Sequence, residues 1–127
     1  MSHSMDILPT ATLQQQLQKD FPNAKDIDWE EASGIYEVEF EIGRTDYKAY
    51  YDKDANLLAY SLDMRESQLP AIVKNAAITK YPNSKIDDVK KIVKGTETMY
   101  KLELKKEKTE REVLFNSNGT FLKELID

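Results

Sequence analysis

The most regular hydrophobic pattern in the chain runs from Tyr36 to Ile42, where Tyr36, Val38, Phe40 and Ile42 alternate with Glu37, Glu39 and Glu41. Strict alternation sends the two sets to opposite sides of a strand, so this segment is expected to be half buried. The pattern returns 64 positions later, with Tyr100, Leu102 and Leu104 alternating with Lys101, Glu103 and Lys105. A helical stripe precedes each copy. Ala11, Leu13, Leu17 and Phe21 fall near helical spacing with polar residues between them, and Ala71, Val73, Ala77 and Tyr81 repeat the stripe sixty positions on. Pro22 and Pro82 stop the two helices, because the residue before a proline is pushed out of the α region.

The junctions themselves repeat, as Phe21-Pro22-Asn23-Ala24-Lys25 and Tyr81-Pro82-Asn83-Ser84-Lys85. They read as helix stops with a buried aromatic, and they let the two copies be overlaid. First strands are expected at Asp26–Ala32 and Ile86–Lys94, where alternation is imperfect. Third strands follow at Asp46–Asp52 and Arg111–Asn116, and fourth strands at Leu57–Leu62 and Phe121–Ile126, divided by polar turn formers. The chain therefore reads α-β-β-β-β twice, residues 7–63 and 64–127. One such unit buries little apolar surface, so the two are expected to share one core in a single domain. The expected fold is a two-layer α+β domain, an eight-stranded antiparallel sheet with both helices on one face and the other face open to water.

Leu-Pro before each helix, aromatic-Pro-Asn-x-Lys after it, and Tyr-x-[Val/Leu]-Glu in the second strand resemble the PepSY-like family of Bacteroides-type bacteria. The resemblance covers roughly residues 7–127. It implies a fold similar to that of the β-lactamase inhibitory protein, and an exported, periplasmic protein. PepSY domains are thought to restrain peptidases, and the inhibitory protein binds an enzyme with its sheet. No motif here carries either activity across residue by residue.

Composition narrows the chemistry. Apolar residues at 40% and charged residues at 32% describe a folded globular chain, and no apolar run approaches a membrane span. The absence of cysteine removes disulfides, thiolate metal sites and cysteine nucleophiles. The single histidine, His3, lies in residues 1–6, which read as an appended leader rather than a signal peptide. No cofactor, no catalytic constellation and no enzyme activity are expected. The lysines of the second half are interleaved with glutamates, so no coherent nucleic-acid face is expected either.

Charge is unevenly spread. Residues 8–63 carry five Lys/Arg against twelve Asp/Glu, a net −7, whereas residues 64–127 carry thirteen against ten, a net +3. The expected state is therefore a monomer or a weak, salt-sensitive self-association. On the outward side of the strands, Glu37, Glu39 and Glu41 become Lys101, Glu103 and Lys105, and Lys48 becomes Glu112. Each unit is thus expected to keep opposite charges on adjacent strands. Tyr50 and its counterpart Leu114 point outward beside these charges, and Trp29 and Tyr60 are expected to join them. Together these residues form the candidate face for an unknown protein or peptide partner. Asp52, Asp54 and Asn56 resemble the start of a calcium loop, but Leu57 and Asp63 stand where that loop wants Gly and Glu. The segment reads as a hairpin turn, with calcium as its alternative.

The function expected is a non-catalytic exported binding module. The alternatives are a peptidase or hydrolase inhibitor, and an envelope protein binding calcium or a small ligand.

Overall fold

The structure, a computed structural model, describes residues 5–6 and 9–125. The chain separates into two compact units, Met1–Leu62 and Asp63–Asp127. In the first unit the order is β1 (Met5–Asp6), α1 (Ala11–Asp20), β2 (Lys25–Ala32), β3 (Ile35–Ile42), β4 (Thr45–Tyr51) and β5 (Leu57–Met64), whose last two residues belong to the second unit. The second unit continues with a 3-10 turn (Glu66–Gln68), α2 (Ala71–Lys80), β6 (Lys85–Lys94), β7 (Glu97–Lys106), β8 (Thr109–Asn116) and β9 (Phe121–Leu125). Within each unit, strands adjacent in sequence pair antiparallel. Met5 and Asp6, expected in a leader, pair with Glu31 and Glu30 of β2. His3 and the expected end of the last strand at Ile126 lie outside the described residues.

Thr10 starts α1 by accepting the Leu13 N–H at its Oγ1 (3.2 Å), which satisfies one of the orphan donors of the first turn. Phe21 closes it, donating its N–H to the Leu17 carbonyl (2.8 Å) in a non-helical conformation set by Pro22. Helix α2 begins after Pro70, whose missing N–H costs nothing there, and ends in the same way at Tyr81. Ser33 and Gly34, both at positive φ, make the tight turn between β2 and β3.

The buried side of α1 (Leu13, Leu17) packs with Trp29, Val38, Phe40, Ala49 and Tyr51, and the buried side of α2 (Val73, Ala77) packs with Val89, Leu102, Leu104, Val113 and Phe115. Burying a large apolar side chain contributes about 1.5–3 kcal/mol. The buried residues thus form two clusters, one inside each unit, rather than the single shared core the sequence suggested. Each helix covers one face of its own strands, and a meander of four strands gives each cluster enough wall to close locally.

Candidate binding face

Register fixes which side chains leave the helix-covered side. In the first unit Val38 pairs with Ala49 and Phe40 with Tyr47, all on the core side, so Glu37, Glu39 and Glu41 project from the other face with Lys48 and Tyr50. Lys48 Nζ lies 3.7 Å from Glu37 and 3.4 Å from Glu39. Partial burial works to lower the Lys48 pKa, but Glu37, Tyr50 and Glu39 outweigh it and hold the ammonium above its ordinary value. Tyr50 stands directly across from Glu37, and its phenol is pushed up, first by burial and then by that carboxylate. Asp28, Glu30 and Asp46 occupy the same side, paired across from Glu39, Glu37 and Glu41. The face of the first unit is consequently acidic, with Lys25 3.8 Å from Glu41 at its margin.

In the second unit Leu102 pairs with Val113 on the core side, which turns Lys101, Glu103, Lys105, Glu112 and Leu114 outward. Leu114 sits across from Lys101 just as Tyr50 sits across from Glu37, 64 positions earlier. Lys101 reaches Glu112 diagonally at 3.5 Å, and Lys105 contacts Asp87 (3.3 Å) and Glu110 (3.4 Å). The expected exchange of charge is only partly complementary. Glu103 directly faces Glu112, so like charges oppose each other where the overlay suggested a pair, and Lys90 directly faces Lys101 on the other neighbouring strand. Lost hydration, then Glu110 and Asp87, raise the Glu103 pKa.

Trp29 and Tyr60 do not join this face. Trp29 pairs with Val38 on the core side, is 6% exposed, and lies 6.0 Å from the Tyr51 ring. A bulge causes this: Asp26 takes φ +54 and the register shifts between Lys25 and Asp28, which also leaves Ile27 exposed. Tyr60 pairs with Ala49 and meets Phe21 edge-on at 5.3 Å, after a second register shift opposite Tyr50 and Tyr51. Trp29 instead lines a groove of about 470 Å³ beside α1, with Gln14, Gln18, Phe21 and Ile27.

The Asp52 segment is a hairpin turn. Asp52 Oδ1 accepts the N–H groups of Asp54 and Asn56 (both 2.9 Å), and its Oδ2 accepts Asn56 Nδ2 (3.0 Å). These bonds hold the Asp52 pKa below its ordinary value, the Asn56 backbone contributing most. In the second unit Asn116 Oδ1 accepts from Asn118 and Thr120 in the same way (both 2.9 Å), without a charge. Asp54 and Asn56 thus shape the loop through Asp52, and among the described residues no cluster of three metal-ligating side chains forms.

Two polar contacts on the helix side were not anticipated. The buried Tyr51 donates to Asp20 Oδ2 (2.8 Å), and in the second unit Glu124 Oε1 accepts from the Tyr81 hydroxyl (2.8 Å) and Arg111 Nη1 (3.0 Å). The signal for the second was present: Arg111 and Glu124 replace Tyr47 and Tyr60 at offset 64.

Among the described residues no helix is long and apolar enough to cross a membrane. No curated protein matches the chain. The family model described as "Putative beta-lactamase-inhibitor-like, PepSY-like" matches residues 2–59 and again residues 36–123. A BLIP-like protein of Bacteroides fragilis is similar in structure at a TM-score of 0.83, with 24% identity over 94% of this chain and 86% of its own. A protein of Bacteroides eggerthii, described as among "putative periplasmic proteins", is similar at a TM-score of 0.84, with 19% identity over 94% of this chain and 89% of its own. These likenesses bear out the expected α+β, tandem-repeat fold of the BLIP-like kind. With the two matches of the family model together spanning residues 2–123, the chain belongs to the beta-lactamase-inhibitor-like, PepSY-like family.

Proposed function

We propose that this chain is a non-catalytic, exported binding module that contacts a protein or peptide partner with the strand face turned away from its helices. The observation carrying this reading is the Tyr50 and Leu114 pair. They hold the same register position in the two repeats, stay partly exposed, and stand among charged side chains on the outward face. A large side chain whose rim is charged suits an interface anchor, and tyrosine is among the residues enriched at such anchors. The acidic excess around Tyr50 favours a partner surface that is basic where it meets the first repeat. Export is supported by the description of the Bacteroides eggerthii relative as periplasmic. In this reading residues 7–63 and 64–127 are two repeats of one functional domain.

A second reading, inhibition of a hydrolase, is supported by the inhibitor-like description of the family and by the BLIP-like relative. The two readings share the face and differ in the partner.

The test is a pull-down from an envelope extract with the wild type and with Tyr50→Ala plus Leu114→Ala. Loss of one discrete partner from the double variant, at an unchanged melting temperature, is the expected result. Equal recovery by both proteins would sink the proposed interface. Assay of a recovered hydrolase with and without the wild-type chain then separates inhibition from simple binding.

A further inference from the structure

The two repeats share one strand register, so each serves as a control for the other. In the first, Phe40 pairs with Tyr47 and Ala49 with Tyr60; in the second, Leu104 pairs with Arg111 and Val113 with Glu124. Beyond the last turn of α1, Phe21 meets Phe40, Tyr47 and Tyr60 at 4.8, 6.0 and 5.3 Å, and Phe40 stacks on Tyr47 at 5.4 Å. Four rings fill the space. The second repeat places Tyr81, Leu104, Arg111 and Glu124 at the same four positions, so two of the rings have become charges.

A cavity of about 170 Å³ lies there, walled by Lys80, Lys106 and Arg111 with Tyr81, Ser84 and Thr109. The first repeat has Asp20 and Ile42 where this one has Lys80 and Lys106. Among the described residues neither Lys80 nor Lys106 forms an ion pair. Lys80 Nζ instead lies 4.2 Å from the centre of the Phe121 ring. Glu124 engages Arg111 through one nitrogen, which leaves most of the guanidinium fork unused. Three cationic side chains therefore line one concave site, and the carboxylate nearest to them is the Glu124 bonded to Arg111. The second repeat keeps ring packing of its own, Tyr81 against Phe121 at 6.3 Å and Phe121 against Phe115 at 5.7 Å, so what the exchange of Tyr47 and Tyr60 adds is charge beside the cavity.

We propose that this cavity binds a small oxyanion group, a phosphate, sulfate or carboxylate. The Arg111 fork would grip it with charge-assisted hydrogen bonds, and Lys80 and Lys106 would close on it from either side. The volume suits such a group and is too small for a drug-sized molecule, whose sites start near roughly 300 Å³. The site lies on the helix side of the second repeat, across its strands from Leu114, and does not rest on the partner face.

The experiment is an amide chemical-shift titration of the full chain with inorganic phosphate at low ionic strength, against sodium chloride at matched ionic strength. Glucose 6-phosphate, in a parallel arm, distinguishes a free anion from the end of a larger molecule. Shifts confined to residues 80–84 and 104–111 are expected with phosphate and not with chloride. Lys80→Gln plus Lys106→Gln, two exposed positions that leave the core intact, is expected to weaken binding about tenfold or more. Arg111→Tyr plus Glu124→Tyr, which restores the two rings that the first repeat has at these positions, is expected to abolish binding in a folded protein. Equal shifts with chloride, or affinity unchanged within about twofold in the lysine variant, overturn the site.

Discussion

Gly34 and Gly119 have the same backbone angle, φ +82, and different surroundings. A Cβ on Gly34 meets nothing within 4 Å, whereas a Cβ on Gly119 falls 2.9 Å from the Ile72 carbonyl oxygen, 3.2 Å from Ile72 Cγ1 and 3.4 Å from Ala76 Cβ. Gly34→Ala therefore incurs only the left-handed penalty, about 1–2 kcal/mol. Gly119→Ala incurs the same penalty plus a clash with backbone in the first turn of α2, a helix held by buried Val73 and Ala77. Overpacking of this kind costs about 1–3 kcal/mol more. The alanine gain in unfolded-state entropy is common to both and cancels in the comparison. Urea unfolding of the two variants, followed by circular dichroism, is expected to place Gly119→Ala about 1–3 kcal/mol below Gly34→Ala, a difference of roughly 4–12 °C in melting temperature. Two variants agreeing within about 0.5 kcal/mol would show that the turn after β8 is not seated against α2, and the packing described for the second unit would be wrong.

Three further outcomes follow from the polar contacts. Tyr51→Phe copies the residue at the same position of the second repeat, Phe115, and removes the donor to Asp20; a loss of about 0.5–1.5 kcal/mol by urea unfolding is expected, and no change would mean the hydrogen bond has no net worth. Asp52→Asn copies Asn116 and is expected to preserve the turn at neutral pH. Because the folded Asp52 pKa is depressed, its contribution is present above the ordinary carboxylate value and lost as pH falls through the folded value, so the variant should flatten the stability profile below about pH 4. Calcium should leave the melting temperature of both proteins unchanged, and a rise in the wild type alone would restore the ion site.

How far the sequence could be read depended on whether local alternation fixed the strand phase. Val38, Phe40, Leu102 and Leu104 lie in long uninterrupted strands, so their burial, and the outward course of Glu37, Lys101, Tyr50 and Leu114, followed from period alone. Trp29 and Tyr60 lie beyond register shifts, and each shift moves every later side chain to the opposite face. Asp26, at φ +54, is the pivot of the first, and a non-glycine residue gives no local warning of a left-handed conformation. The separation into two cores was hidden for another reason. Hydrophobic periodicity says which side of an element is buried, but it does not say against which other element.

The repeats are alike where burial decides and different where charge decides. Each outward ion pair, exposed and several ångströms long, contributes about 0–1 kcal/mol, less than any one of the buried side chains beneath it. Exchanging Glu37 for Lys101, or Lys48 for Glu112, therefore leaves the fold nearly indifferent. The Tyr47 to Arg111 and Tyr60 to Glu124 exchanges differ in kind, because they give up ring packing on the core side. Stability measurements accordingly report on the second kind of difference and are almost blind to the first. For the outward face the informative quantity is binding: neutralising Glu37 and Glu39 should reduce capture of a basic partner while leaving the unfolding midpoint where it was. That separation of affinity from stability is what distinguishes a recognition surface from an ordinary solvated one.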